Sequence, residues 1–249
     1  MSMKERTPAD RPGGAIPEEP AGTGDSVAEF LAKVRSLPPR QSEPGGRGRL
    51  IFAMDATMSR QPTWDMAQSL QQRMFTEAEA LGGLDVQLVY FRGLAECRAS
   101  RFVSQGVGLA AVMSKIDCRG GNTQIEKVLR HARDEAKAAP VGALVFVGDA
   151  MEENADRLCA IAGELALRGV KAFMFHEGGD AQAAAAFQEI ARLTGGAYAA
   201  FDAGAPKKLA SLLGAAAAYA AGGFAALEAQ AKKGNVDAKL LIEQMGKRG

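Results

Sequence analysis

Apolar runs of strand length alternate with amphipathic segments from about residue 49 onward. Four continuous apolar runs predict buried strands at residues 50–54, 86–91, 143–148 and 171–176. A short run at residues 197–201 predicts a further strand. More polar alternation at residues 96–103, after a tight turn at Arg92-Gly93, predicts a half-exposed edge strand. Strands that alternate with helices of ten or more residues indicate an α/β fold with a mainly parallel sheet covered on both faces.

Helical patterns separate these runs. Apolar residues recur at helical spacing at about residues 62–81, 108–116, 123–138, 154–167 and 181–193, and a final helical section begins near Pro206. Gly82-Gly83 ends the first of these helices. Because crossovers between parallel strands are right-handed, the loops that follow the strands should lie at one edge of the sheet.

The last helical section contains an uncharged stretch at residues 209–227. Its length approaches the roughly 20 residues that a transmembrane helix requires. Alanine and glycine dominate it, however, so its transfer energy into lipid is small, and Gly222-Gly223 would interrupt a helix. We therefore predict a closing helix packed on the sheet and consider a membrane span less favoured.

The chain divides into three predicted parts. Residues 1–46 are rich in proline, glycine and charge, which predicts a flexible tail. Within it, residues 25–37 predict a short helix, either docked on the domain or serving as a linear motif for another protein. Residues 49–222 form the predicted domain. Residues 223–249 form a C-terminal helical tail, which packs on the domain or on a partner.

Composition narrows the function classes. Hydrophobic residues make up 47% of the 249 residues, so a sizeable core can form. The net charge of +1 gives no basic field for nucleic acid. Three separated cysteines, Cys97, Cys118 and Cys159, are expected to be reduced thiols. The polar first ten residues contain no apolar stretch typical of a secretory signal, so we expect a cytoplasmic protein.

Carboxylates and hydroxyls follow the predicted strands. Asp55, Thr57 and Ser59 come at and after the end of the first strand, and Asp149 follows the strand at residues 143–148. Thr123 opens a helix after Gly120-Gly121 and could reach the same edge. Oxygen ligands of this kind suit Mg²⁺ or Ca²⁺, and the absence of His and Cys from the first strand end argues against Zn²⁺.

These residues, in this order on these elements, resemble the von Willebrand factor type A (VWA) family. DATMS at residues 55–59 is similar to the D-x-S-x-S sequence of that family's metal-ion-dependent adhesion site (MIDAS), with Thr57 where serine is usual. Thr123 in GGNTQ matches the lone threonine of the motif, and Asp149 in VFVGDA matches its last aspartate, with Ala150 where glycine is common. The resemblance covers about residues 49–219.

The resemblance implies a doubly wound, Rossmann-like, mostly parallel six-stranded sheet with one antiparallel edge strand and helices on both faces. It implies Mg²⁺, or Mn²⁺ or Ca²⁺, held by Asp55, Thr57, Ser59, Thr123 and Asp149, directly or through water. It further implies a protein-binding module rather than an enzyme, which captures an acidic side chain of a partner protein. Intracellular members of the family often work beside ring-shaped ATPases, so such an ATPase is the partner that the resemblance suggests.

Neighbouring residues bear on this interpretation. Arg60 directly follows the DATMS segment and could pair with the same incoming acid. Glu152 and Glu153 would repel that acid if they faced the ion, but we expect them to cap the helix that follows them.

The main alternative is a Mg²⁺-dependent phosphoryl-transfer enzyme of the haloacid dehalogenase type. Such an enzyme requires an acid/base aspartate where Thr57 stands and a lysine before the final acidic pair, and neither is evident. A Ser–His pair is not expected either. His131 is predicted at the surface of a helix, and His176 at a strand end away from the ligand set.

Overall fold

A six-stranded sheet forms the centre of the computed structural model, which describes residues 46–202 and 204–246. Its strands are β1 (Gly48–Asp55), β2 (Leu84–Arg92), β3 (Glu96–Ala99), β4 (Ala143–Gly148), β5 (Lys171–Glu177) and β6 (Ala197–Phe201). Their order across the sheet is β3-β2-β1-β4-β5-β6, and only the β2–β3 pair is antiparallel. The predicted fold class is therefore confirmed, including the antiparallel edge strand.

Helices cover both faces of the sheet. They are α1 (Gln61–Leu70), α2 (Gln72–Glu79), α3 (Gly106–Met113), α4 (Ile125–Ala138), α5 (Ala155–Leu167), α6 (Ala181–Thr194), α7 (Pro206–Lys232) and α8 (Val236–Gly246). Successive side chains of the central strand β1 point to opposite faces of the sheet, so they belong to two separate parts of the core. Leu50, Phe52 and Met54 pack with the core of α1, α2, α3, α7 and α8, whereas Ile51 and Ala53 pack with that of α4, α5 and α6.

Gln71 divides the single helix that was predicted over residues 62–81. Its N–H still donates to the carbonyl of Ala67 at 2.9 Å, but its own carbonyl accepts from Met74, three residues later, at 3.1 Å. This tighter spacing is of the 3₁₀ type and interrupts the α-helical pattern between α1 and α2. The predicted helix at residues 25–37 lies outside the described residues.

The C-terminal helices complete the core. Helix α7 bends sharply at Gly223, whose φ of 67° and ψ of −160° are accessible only to glycine. Its apolar section is long enough to cross a membrane, but 67% of that section is buried inside the fold, as in the core helix of a globular domain. Leu227 and Leu241 belong to the same core as β1. Of the two alternatives for the C-terminal tail, the described residues 223–246 show packing on the domain.

Helix α8 also covers the outer edge of the sheet at β6. The carboxamide of Gln244 accepts a hydrogen bond from the backbone N–H of Tyr198 at 2.8 Å and donates one to its carbonyl at 2.7 Å. This pair of bonds reproduces what a neighbouring strand would offer. The backbone of β6 is therefore satisfied at Tyr198 by a side chain.

Candidate metal centre

The end of β1 forms a compact turn of oxygen-bearing side chains. Asp55 is the last residue of the strand, and its buried carboxylate accepts the N–H of Thr57 at 2.7 Å. A 3₁₀ turn, Met58–Arg60, begins directly after Thr57, and the N–H of Arg60 donates to the carbonyl of Thr57 at 2.9 Å. This turn brings the hydroxyls of Thr57 and Ser59 within 3.3 Å of each other.

Asp149, at the end of β4, joins this turn. The Ser59 hydroxyl donates to Asp149 Oδ2 at 3.5 Å, which is at the outer limit of hydrogen bonding. Since β1 and β4 are parallel neighbours, their carboxyl ends lie side by side. Four of the five predicted ligands, Asp55, Thr57, Ser59 and Asp149, are thus connected by one continuous series of contacts at the carboxyl edge of the sheet.

Thr123 is bonded to the loop that carries Asp149, but not to the series of contacts itself. Its hydroxyl accepts the backbone N–H of Glu152 at 3.0 Å, and its own N–H donates to the Glu152 carboxylate at 3.1 Å. Among the hydrogen bonds of the described residues, none joins Thr123 directly to the other four predicted ligands. The threonine loop is therefore tied to the loop after β4, three residues beyond Asp149.

Glu153 strengthens this connection between loops. Its carboxylate accepts the N–H groups of Ile125 at 2.5 Å and Glu126 at 2.9 Å, so it caps the N-terminus of α4. The following helix, α5, is capped by Asn154 instead, whose side chain accepts the N–H of Arg157 at 3.0 Å. The expectation that Glu152 and Glu153 cap the helix after them is wrong, because both carboxylates turn back to the Thr123 segment.

Replacing Glu153 with alanine should lower the free energy of unfolding by about 1–2 kcal/mol, since two helix N–H groups lose their acceptor. Urea unfolding followed by circular dichroism measures this loss. Glu164→Ala is the control, because Glu164 caps none of the described helices and forms a partly exposed ion pair with Arg133, so its removal should cost less than about 1 kcal/mol. Equal losses for the two variants would contradict the capping role.

The carboxylate of Asp55 is held in an unfavourable environment. Burial raises its pKa to about 6, and the nearby negative charge of Asp149 raises it as well. The N–H of Thr57 and the charge of Arg60 oppose this shift but do not cancel it. A cation shared by the two carboxylates would relieve both effects.

Arg60 lies beneath the site and does not face solvent. Only 1% of its side chain is exposed, its Nη1 forms a salt bridge with Glu177, and the same nitrogen is 4.0 Å from Asp149 Oδ2. The Thr63 hydroxyl donates to the same Glu177 carboxylate at 2.5 Å. The expectation that Arg60 pairs with an incoming acid is therefore wrong, because the guanidinium is committed to an internal partner.

Glu177 is a residue of the site region that sequence reasoning missed. It ends the apolar strand β5. An acidic residue at the carboxyl end of a buried strand is the same signal that identified Asp55 and Asp149, so the sequence did contain the indication.

His176 contacts the site from behind. Its ring is buried, with Nδ1 3.0 Å from the Tyr198 hydroxyl and Nε2 3.3 Å from the backbone carbonyl of Asp149. Since a carbonyl only accepts, this geometry places the proton on Nε2. The prediction that His176 lies away from the ligand set is wrong. His131 is half-buried, with its Nε2 2.8 Å from the side-chain carboxamide oxygen of Gln87.

The donor set suits a hard cation only if the hydroxyls take part. Across residues 46–202 and 204–246, no three His, Cys, Asp or Glu side chains are grouped so that they could hold a metal ion. Two carboxylates with neighbouring hydroxyls are oxygen donors of the type that Mg²⁺, Mn²⁺ and Ca²⁺ accept, with water completing the coordination.

Comparison with known proteins agrees with this architecture at the level of fold. No protein-family model and no curated protein matches the sequence. Among solved structures, the SpRpn10 VWA domain aligns with a TM-score of 0.52 at 10% identity, over 66% of this chain and 95% of that one. A von Willebrand factor type A protein from Catenulispora acidiphila aligns with a TM-score of 0.54 at 14% identity, over 70% and 43%. The chain has a VWA fold.

A third VWA-fold match contains a metal. Proximal thread matrix protein 1 from the mussel byssus, in a structure with a zinc-occupied MIDAS motif, aligns with a TM-score of 0.54 at 16% identity. The alignment covers 68% of this chain and 45% of that one. This chain therefore covers less than half of the length of the Catenulispora and mussel proteins. At these identities the likeness is one of fold.

Proposed function

We propose that this chain is a non-enzymatic protein-interaction module that binds a partner through a divalent cation. The main observation in support of this proposal is the series of contacts from Asp55 through Thr57 and Ser59 to Asp149 at the carboxyl edge of the sheet. These four residues, with Thr123, would hold the ion. The VWA fold supports the proposal, because other proteins with this fold include one whose MIDAS motif holds a metal.

The chemistry of the donor set indicates what the ion would do. Two carboxylates balance the charge of a divalent cation, but protein oxygens from this site leave part of a six-fold coordination to water. A bound cation of this kind would supply a positive charge with exchangeable positions, which a carboxylate from another protein can occupy. The proposed ion is Mg²⁺, with Mn²⁺ or Ca²⁺ as substitutes, and the zinc in the mussel protein makes Zn²⁺ a necessary comparison.

The alternative of phosphoryl transfer gains no support from the site. The position where an acid/base aspartate would be required is held by Thr57, whose hydroxyl contacts Ser59.

We further propose that the module is cytoplasmic and that a ring-shaped ATPase is a candidate partner. A pull-down with and without EDTA can test the proposed partner.

Isothermal titration with Mg²⁺, Mn²⁺, Ca²⁺ and Zn²⁺ tests the metal site. We expect saturable binding by the unmodified chain and a loss of affinity of at least about 100-fold in Asp149→Ala, since one of two carboxylates is removed. Asp149 is partly exposed, so this variant should fold. Asp156→Ala, an exposed aspartate in the first turn of α5, is the control and should bind normally. Identical heats for all three proteins would overturn the proposal.

A further inference from the structure

Two large apolar side chains project into solvent beside the candidate metal centre. Met58 is 66% exposed and Leu94 is 83% exposed. Asp55 of β1 is paired with Phe91 of the parallel strand β2. Met58 follows Asp55 by three residues, and Leu94 follows Phe91 by three residues. Met58 and Leu94 therefore extend from adjacent strand ends at the same edge. We refer to these two residues as the apolar rim.

The segment before Thr123 joins the two halves of the apolar rim. At one end, the N–H of Arg119 donates to the carbonyl of Ala56 at 2.9 Å, two residues before Met58. At the other end, the N–H of Asn122 donates to the carbonyl of Gly93 at 3.2 Å, next to Leu94. These bonds hold residues 119–122 against the loops that carry Met58 and Leu94, at the edge of the sheet where the oxygen ligands also lie.

Arg119 supplies an accessible positive charge to that surface. Its side chain is 62% exposed, and its ion pair is a 4.0 Å contact with the highly exposed Asp117. Such a contact is weak and is readily exchanged for another carboxylate. Arg119 thus has the property that sequence reasoning assigned to Arg60, namely the ability to meet an incoming acid.

We infer that the apolar rim and Arg119 bind a partner segment in which an acidic residue stands directly beside a large apolar residue. This inference rests on the proposed function, since the acidic residue would complete the coordination of the ion. Charge complementarity with Arg119 favours an acidic segment, and the two exposed side chains give it an apolar neighbour to bury. Isolated exposed apolar residues are common, and what distinguishes these two is that they lie at the same edge of the sheet as the oxygen ligands and Arg119.

The residues of the apolar rim have different physical roles in such a contact. Methionine is flexible and adapts to differently shaped apolar groups, so Met58 would tolerate several partner side chains. Leu94 has a more defined shape and would select among them. Arg119, at the margin, would mainly accelerate association and make it sensitive to salt.

Selection from a phage-displayed library of random peptides tests the inference on the full chain in Mg²⁺. We expect enrichment of peptides with Asp or Glu adjacent to Leu, Ile, Met or Phe, and no enrichment in EDTA. For a selected peptide, the double variant Met58→Ser/Leu94→Ser should lose about 10-fold or more in affinity, as expected for central apolar contacts. Arg119→Gln should slow association and weaken its salt dependence.

A control variant with two substitutions at the opposite edge completes the design. Val107 and Leu167 are similarly exposed, but Val107 lies beside the amino ends of β1 and β2, and Leu167 ends the helix that leads into the start of β5. Val107→Ser/Leu167→Ser should bind the selected peptide within about twofold of the unmodified chain, as expected for residues outside the contact.

The outcomes separate this inference from the proposed function. Acidic peptides without apolar neighbours, enriched only with Mg²⁺, would overturn the inference and leave the metal-dependent function intact. Apolar peptides without an acid, or enrichment that survives EDTA, would overturn both. Failure to enrich any sequence, or equal losses in the rim and control variants, would also overturn the inference.

Discussion

Arg60→Met is expected to lower the free energy of unfolding by about 3–5 kcal/mol. The guanidinium is buried against Glu177, and its removal leaves a carboxylate in the interior without a counter-charge. Urea unfolding in EDTA measures the change free of any metal contribution. The single tryptophan, Trp64, is buried and gives a fluorescence probe within the neighbouring helix.

Two further variants make this prediction specific. Arg60→Met/Glu177→Leu should recover at least half of the loss, because replacing both charges removes the uncompensated carboxylate. Arg73→Met, which removes an exposed pair with Glu77 at 3.8 Å, should cost less than about 1 kcal/mol. A loss below that level for Arg60→Met would mean that the internal salt bridge does not form.

Asp55→Asn is expected to stabilise the metal-free protein at pH 7–8 by about 2–3 kcal/mol, because the charged form of the buried carboxyl is costly. The pKa of this carboxyl is about 6 in the folded chain, against an ordinary value of 3.8, and each unit corresponds to about 1.4 kcal/mol. Because the pKa is raised, the folded state retains the proton to higher pH than the unfolded state. Stability is therefore lost as pH rises from about 4 to 6 and stays low above that range. Asparagine avoids this cost and still offers an oxygen to the Thr57 N–H.

Unfolding of both proteins in EDTA from pH 4 to pH 8 checks this prediction. The advantage of Asp55→Asn should be smallest at pH 4, grow up to about pH 6 and then level off. The control is Asp156→Asn, at an exposed position, which should not be stabilised at pH 8. Saturating Mg²⁺ should stabilise the unmodified chain by about 2.7 kcal/mol at 100 times its Kd and leave Asp55→Asn unchanged. A variant less stable than the unmodified chain at pH 8 in EDTA would refute the argument.

The sequence was sufficient for the fold and for much of the site because both follow from backbone arrangement. A continuous apolar run of strand length, such as residues 143–148, is typical of a strand in a sheet covered on both faces. Once strands are parallel, residues that follow them share an edge, which is why Asp55, Ser59 and Asp149 could be placed together.

Side-chain direction and contacts between distant loops could not be predicted in this way. Arg60 follows a polar turn and has the sequence context of a surface residue, yet its side chain enters the interior because Glu177 lies at the end of a strand far along the chain. Glu153 likewise caps a helix that precedes it, since the loop after β4 returns to α4. Such partners are determined by packing, and no local pattern encodes them.

The bonds between Gln244 and Tyr198 have a consequence for the behaviour of the molecule in concentrated solution. An uncovered outer strand presents N–H and carbonyl groups that can template a strand from another copy and begin intermolecular sheet growth. The carboxamide of Gln244 already occupies both groups at Tyr198. Helix α8 therefore prevents a strand from another copy from pairing at this residue, in addition to forming part of the core. The side chain of Gln244 therefore contributes both to folding and, at Tyr198, to protection against pairing with another copy.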